Sequence, residues 1–470
     1  MRNAGRSGSQ RSMSADSSMY AEAGAGGGAG FSTAGGSDEL DAPLGGGGRS
    51  AASMPACDPA ADVKAALALV TGSKLSLLLI FCPIGLAAEP IGMSASLVFF
   101  CNFLAIVPLA KILGDATEEL AVHVGQTLGG LLNATFGNAV EMIMAVFALQ
   151  EGLIEVVQGT LLGSILSNLL LVLGCCFFCG GISRKEQTFN CQAAQVNSSL
   201  LLVASMALIL PTCFSLVGQN DCVKQEANIT FTKDSPTVGP TDELLCPETS
   251  LPCTALQVQQ AWESQCFGLT QHKTVRVSQM TSVFLFAMYI QYVYFQLVSH
   301  KDLFEGGDEE EEEVTLTKGG SMGLLAVATL LVAANSEGLV GSLDEMSTEV
   351  GLGKHFVGIV MLPIVGNAAE HVTAVSSAMK DKMNLALGVA VGSSTQIALC
   401  VVPFTVLVGI VVCPEDSPMT LDFHTFASAV LVMSVLIVNV AIADGSSNWL
   451  EGSLLVHCYL IIAATFWWMD

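Results

Sequence analysis

Beyond residue 73 the chain alternates long apolar stretches with short polar breaks, and eleven of those stretches read as membrane spans. They fall at about 74–92, 95–114, 128–149, 157–180, 190–211, 277–298, 320–341, 353–379, 384–412, 423–442 and 450–468. An α-helix needs roughly 20 apolar residues to cross a hydrocarbon core, and in lipid it satisfies its own backbone hydrogen bonds. Several spans contain Gly, Pro or polar residues, which marks a working interior more than a simple anchor. The pattern predicts an all-α integral membrane protein of about eleven transmembrane helices.

Residues 1–73 break the pattern. They are rich in Gly, Ser and Ala, with the run Gly45-Gly46-Gly47-Gly48. Such a composition cannot bury enough apolar surface to fold, so a disordered cytosolic tail is expected. Basic residues then orient the spans. Arg184 and Lys185, Lys301 and Lys318, and Lys380 and Lys382 lie in short loops that share one side if the N-terminus is cytosolic, as the positive-inside rule asks. That count places the C-terminus and the long polar stretch 212–276 on the luminal side. Five of the fifteen cysteines fall at or within that stretch (Cys213, Cys222, Cys246, Cys253 and Cys266), beside an Asn228-Ile229-Thr230 glycosylation pattern. In an oxidising lumen they would allow two disulfides and one leftover thiol.

Composition sharpens this reading. Only 13% of residues are charged, against roughly 25% in a soluble domain. The net charge of −24 argues against nucleic acid, which binds clustered Lys and Arg.

The chemistry lies in an internal repeat. Gly137-Asn138-Ala139-Val140-Glu141-Met142 recurs as Gly366-Asn367-Ala368-Ala369-Glu370-His371, an offset of 229 (137 to 366). Gly163-Ser164 recurs at the same offset as Gly392-Ser393. Two polar motifs holding one register across separate helices indicate a duplicated unit. Spans two to six form one unit and seven to eleven the other; five is odd, so the second unit enters the membrane from the opposite side, and inverted repeats of this kind place substrate sites near the midplane. The expected organisation is an extra first helix at 74–94, a first repeat at 95–298, an acidic linker at 299–319 and a second, inverted five-helix repeat at 320–470.

Within each motif Asn and Glu are three apart and share a helix face: Asn138 with Glu141, and Asn367 with Glu370. Ser164, Ser167 and Asn168 share another, as do Ser393 and Gln396. Each repeat therefore offers one carboxylate with amide and hydroxyl oxygens. This suits Ca²⁺, which takes about 6–8 oxygen ligands in flexible geometry; Mn²⁺ stays open, and the lack of thiolates disfavours softer metals. An ionised carboxylate at bilayer depth is costly. Two protonated glutamates are neutral, and so are two glutamates on one Ca²⁺, so competition at one site supplies exchange against protons. No resident cofactor is expected, only the transported Ca²⁺ and H⁺.

These motifs, with Leu128-Gly129-Gly130-Leu131-Leu132-Asn133-Ala134-Thr135-Phe136 before the first, resemble the α-repeats of calcium/proton exchangers, the cation/proton exchanger branch of the calcium/cation antiporter superfamily. Further similarity lies in Ala116-Thr117-Glu118-Glu119-Leu120, Met379-Lys380-Asp381-Lys382-Met383 and Ser447-Asn448-Trp449-Leu450-Glu451-Gly452. The resemblance implies a ten-helix transport core plus an extra helix, a vacuolar or related acidic-store membrane, and an acidic helix between the halves. It carries the family's binding glutamates onto Glu141 and Glu370, with the polar residues above as their partners. The insert at 212–276 and the Gly-rich tail depart from the family pattern.

The remaining candidates keep two readings each. His371 shuttles protons or bonds a neighbouring helix; Glu337 lines the ion path or sits at its rim; Glu118 and Glu119 form an entrance on the cytosolic side. The run Asp308-Glu309-Glu310-Glu311-Glu312-Glu313 is a solvated tract or a Ca²⁺-attracting helix. A sodium/calcium exchanger is the alternative function. A membrane protease would need a nucleophile–base pair or an H-E-x-x-H motif, and neither occurs. Oligomeric state is not legible.

Overall fold

The structure, a computed structural model, describes residues 59–226, 231–232, 235–238, 242–243, 255–304, 315–414 and 417–469. Helices dominate it: α1 (Pro59–Thr71), α2 (Phe81–Ala88), α3 (Ala95–Val124), α4 (Gln126–Phe136), α5 (Ala139–Gln150), α6 (Ile154–Ile182), α7 (Cys191–Glu226) and α8 (Ala255–Tyr294). After the linker come α9 (Lys318–Gly341), α10 (Leu343–Val350), α11 (Lys354–Gly366), α12 (Ala368–Met379), α13 (Met383–Val412), α14 (Thr425–Ala441) and α15 (Trp449–Trp467). The protein is an all-helical multi-pass membrane protein. Seven helices are long and apolar enough to cross a bilayer, or ten if each of three bent pairs counts as one span.

The eleven stretches read as spans fall on these seven helices, on the bent pairs and the helix that follows the last of them, and on the shorter α14. The seventeen-residue α14 is apolar but shorter than the seven spanning helices, and the region read as span one is a 3₁₀ turn (Lys74–Ile80) running into α2, bent by 97° from α1. Hydropathy counts apolar residues and is blind to a bend inside a run. Two further boundaries differ. Residues 59–71, read as tail, are helical, and α1 is tied down by Asp62, whose carboxylate accepts from the Thr317 amide (3.0 Å) and hydroxyl (2.5 Å). The stretch 212–276 is helical at both ends, through α7 to Glu226 and from Ala255 in α8. A helix's hydrogen bonds need no apolar side chains, so it continues past the point where hydropathy drops. Asn228, Cys246, Cys253 and the acidic run at 308–313 lie outside the described residues.

The core is a web of Leu, Val, Ile and Ala from both halves, including Leu109, Leu113, Leu162, Ile165, Val357 and Leu399. Helix α6 runs through its middle, and nearly all of its residues from Val156 to Leu173 are buried. Such all-round burial suits a helix hydrophobic on every face. At one face of the bundle Gln187–Thr188 pairs antiparallel with Ser446–Ser447, joining the loop after α6 to the loop before α15.

Candidate functional site

Both motifs interrupt a helix at the same residue. Asn138 stands between α4 and α5 with φ −105° and ψ 17°, and Asn367 between α11 and α12 with φ −91° and ψ 9°. These angles lie in the sparsely populated bridge region where functional residues recur. Each asparagine is the N-cap of the next half-helix, yet neither side chain caps it. The amides are thereby left for other partners. Glu141 and Glu370 sit in the first turn of α5 and α12, where the exposed N–H groups and the helix dipole favour negative charge.

Residues from the two halves interlock around these breaks. The Asn138 amide donates to Gln396 Oε1 (3.0 Å). The Asn168 amide donates to Glu370 Oε2 (3.0 Å) and Ser393 Oγ (3.1 Å). Gly366 packs so closely on Glu141 that a methyl there would lie 2.7 Å from Oε1. The two carboxyls are within electrostatic reach of one another. His371 keeps both readings: its Nε2 meets Ser167 Oγ (3.3 Å) across the halves, and its Nδ1 meets the Asn367 carbonyl (2.7 Å). Two π-helical turns, Ser167–Val172 in α6 and Ile397–Val401 in α13, follow the polar residues in each half. Such widened turns are frequent at functional sites.

The site gathers several buried polar atoms without a protein partner, among them the Asn367 amide nitrogen. Glu141, Asn138, Ser164, Asn168 and Asn367 are at most 2% exposed. Yet Glu141 Oε2, Asn138 Oδ1, Ser164 Oγ, Asn168 Oδ1 and Asn367 Oδ1 have no hydrogen-bond partner. A buried polar atom without a partner costs about 1–3 kcal/mol, so these oxygens are suited to water or a bound cation. Oxygens facing inward beside two carboxylates fit a hard cation. Among the described residues no three His, Cys, Asp or Glu side chains gather as a metal site, so the donors here are carboxylate, amide and hydroxyl oxygen.

Not every sequence candidate reaches this centre. Glu119 spends its carboxylate on the Thr315 and Leu316 backbone amides (3.2 and 3.1 Å) and the Thr315 hydroxyl, fixing the entry to α9 instead of lining an entrance. Glu118 is exposed near the end of α3, and Glu337 is exposed on α9, whose packed face carries Asn335 and Ser336.

Spacing alone did not single out a glycine asymmetry beside the site. A methyl on Gly163 would overlap the Ile359 carbonyl and lie 2.6 Å from the Pro363 ring, and one on Gly159 would press on Ile359 (3.2 Å). Half-helix α11 thus seats on α6. The equivalents 229 residues on, Gly388 and Gly392, meet nothing within 4 Å. Half-helix α4, the equivalent of α11, leans instead on Ala121 and Leu297. The two halves are packed unequally beside the site. Extending the 229-residue register to Gly159 and Gly388 would have exposed this pair.

The chain is similar to known proteins along most of its length. The family described as "Sodium/calcium exchanger protein" matches residues 94–298 and 320–468. A rice protein named vacuolar cation/proton exchanger 3 is 40% identical over 84% of this chain and 85% of its own. A Ca(2+)/H(+) antiporter of Synechocystis is 40% identical over 84% of this chain and 98% of its own. The solved structure of native YfkE aligns with a TM-score of 0.62 at 31% identity, covering 84% of this chain and 99% of that one.

Proposed function

Because the chain belongs to the sodium/calcium exchanger protein family, we propose that it is a secondary antiporter exchanging Ca²⁺ for H⁺ by alternating access. The observation that carries this reading is the set of five unpartnered, buried oxygens around Glu141, drawn from both halves and tied to Glu370 through Asn168. Relatives at 40% identity carry the names cation/proton exchanger and Ca(2+)/H(+) antiporter.

In this reading Glu141 and Glu370 hold the cation, assisted by Asn138, Asn367, Ser164, Ser167, Asn168, Ser393 and Gln396. Ca²⁺ on the two carboxylates and two protons on the same carboxylates are both electrically neutral loads. The empty pair is doubly charged at bilayer depth and is disfavoured from crossing. Binding competition therefore couples the two fluxes without a separate proton path. Na⁺ exchange would call for further acidic cation sites, whereas here the neighbours of the carboxylates are amides and hydroxyls. Alternating access is supported by the glycine seats: α11 on Gly159 and Gly163 in the present state, and α4 on Gly388 and Gly392 in the other.

The two five-helix halves are inverted, the N-terminus is cytosolic, and the membrane is that of a vacuole or other acidic store. With that orientation α4 lines the cytosolic mouth, so the present state is open to the cytosol and closed to the lumen. Reconstituted into liposomes, the protein is expected to take up Ca²⁺ when a pH gradient is imposed and to stop when the gradient is dissipated. Uptake driven by a Na⁺ gradient at equal pH would overturn the proton reading. Mn²⁺ tested in parallel sets its place in the selectivity.

A further inference from the structure

Outside the closed mouth lie two adjoining cavities of about 540 and 290 Å³ that share Glu155, Gln158, Ser215, Gln219 and Asp422. Together they form a vestibule between the start of α6, the polar ends of α7 and α8, and the loop before α14. Its inner end is bounded by Gly159, Leu162 and Ile359, the contact that shuts this mouth. A polar volume of this size holds many waters. The charged and titratable groups lining it are Glu155, Lys354, His355, Asp422 and His424. Lys354 is paired with Asp344 at 2.8 Å.

Three of these groups are arranged to carry protons. Asp422 is half-buried and bonded to the Ser215 hydroxyl, and burial pushes its carboxyl above the usual range, so it takes up a proton more readily than a solvated aspartate. His424 Nδ1 accepts from the Phe426 amide (3.3 Å), so the ring hydrogen lies on Nε2. The rings of His355 and His424 lie 5.9 Å apart. Carboxyl and imidazoles thus share one wet chamber that ends on the gate.

We propose that this vestibule is the proton port of the exchanger's luminal side, with Asp422 as its principal acceptor and His355 and His424 beside it. A proton from luminal water is taken by the Asp422 carboxylate. When α11 leaves Gly159 and Gly163, the chamber joins the central site, and the proton passes through water to a Glu141 or Glu370 carboxylate vacated by Ca²⁺. The carboxylate of Asp422 is restored, and one proton has moved for each proton bound at the centre. This rests on the exchange reading and its orientation, and it locates where luminal protons enter.

The test uses the full-length protein in sealed membrane vesicles of one orientation, with Ca²⁺ uptake measured while the pH of each side is varied alone. Asp422→Asn is expected to move the luminal-pH midpoint of uptake to more acidic values by about half a unit or more, because more protons are then needed outside the gate. The cytosolic-pH profile and the apparent Ca²⁺ affinity should stay unchanged, and Asp422→Glu should restore the midpoint. His355→Gln with His424→Gln should move it the same way. A luminal profile identical to wild type in both Asp422→Asn and the double histidine variant would overturn the port, and so would an equal displacement on both sides. Either result would leave the exchange reading standing, since Ca²⁺ uptake would still follow the pH gradient.

Discussion

Glu141→Gln and Glu370→Gln should each abolish measurable Ca²⁺ transport while leaving the protein folded. Each substitution keeps the side-chain shape and removes a single charge from a set of buried oxygens that otherwise has no partner. Each variant loses one of the two carboxylates that would ligate the cation, so apparent Ca²⁺ affinity should fall by roughly a hundredfold or more. Glu370 differs in one respect. It is only partly buried and accepts a hydrogen bond from Asn168, so Asn168→Ala should reproduce a weaker version of the Glu370 defect. Direct Ca²⁺ uptake and thermal melting of the same preparations check both statements. Undiminished transport in both glutamine variants would remove the site from the account.

The second large effect concerns the glycine seats. Gly392→Leu should lower the melting temperature less than Gly163→Leu, because a methyl at this buried position meets nothing within 4 Å. It should nevertheless cripple turnover, since the leucine fills the seat that α4 needs when the cytosolic mouth closes. Overpacking costs about 1–3 kcal/mol, which translates into roughly a 5- to 150-fold loss of the closed state. Gly163→Leu should behave in the opposite way. Its side chain would strike Ile359 and Pro363 in the packed mouth, lowering the melting temperature along with transport. Equal effects of the two substitutions on stability would contradict the alternation drawn from this asymmetry.

Particular residues separate what the sequence could disclose from what it could not. The offset of 229 residues and the Asn–Glu spacing placed Glu141, Glu370 and their amide partners correctly beside one another, because a repeated polar motif in an apolar span is a strong local signal. The helices break at Asn138 and Asn367, one residue after each glycine, where Gly137 and Gly366 permit local unwinding. Helical spacing put His371 off the glutamate's face, yet His371 and Glu370 meet the consecutive residues Ser167 and Asn168 of α6. The partner helix decides that, and periodicity within one helix cannot see it. Glu119 shows the same limit from the other side. A carboxylate near a span's end reads as an entrance, whereas its role depends on whether a neighbour such as Thr315 claims it. Apolar run length likewise records neither the bend beside α2 nor the shortness of α14.

The central claim is that Ca²⁺ and protons occupy one pair of carboxylates in turn. Proton release on Ca²⁺ binding tests it most directly, with purified protein in weakly buffered solution and no membrane gradient. The account predicts that Ca²⁺ binding expels protons below neutral pH, that affinity weakens steadily as pH falls, and that both effects vanish in Glu141→Gln with Glu370→Gln. Ca²⁺ binding that releases no protons at any pH, with an affinity indifferent to acid, would contradict it.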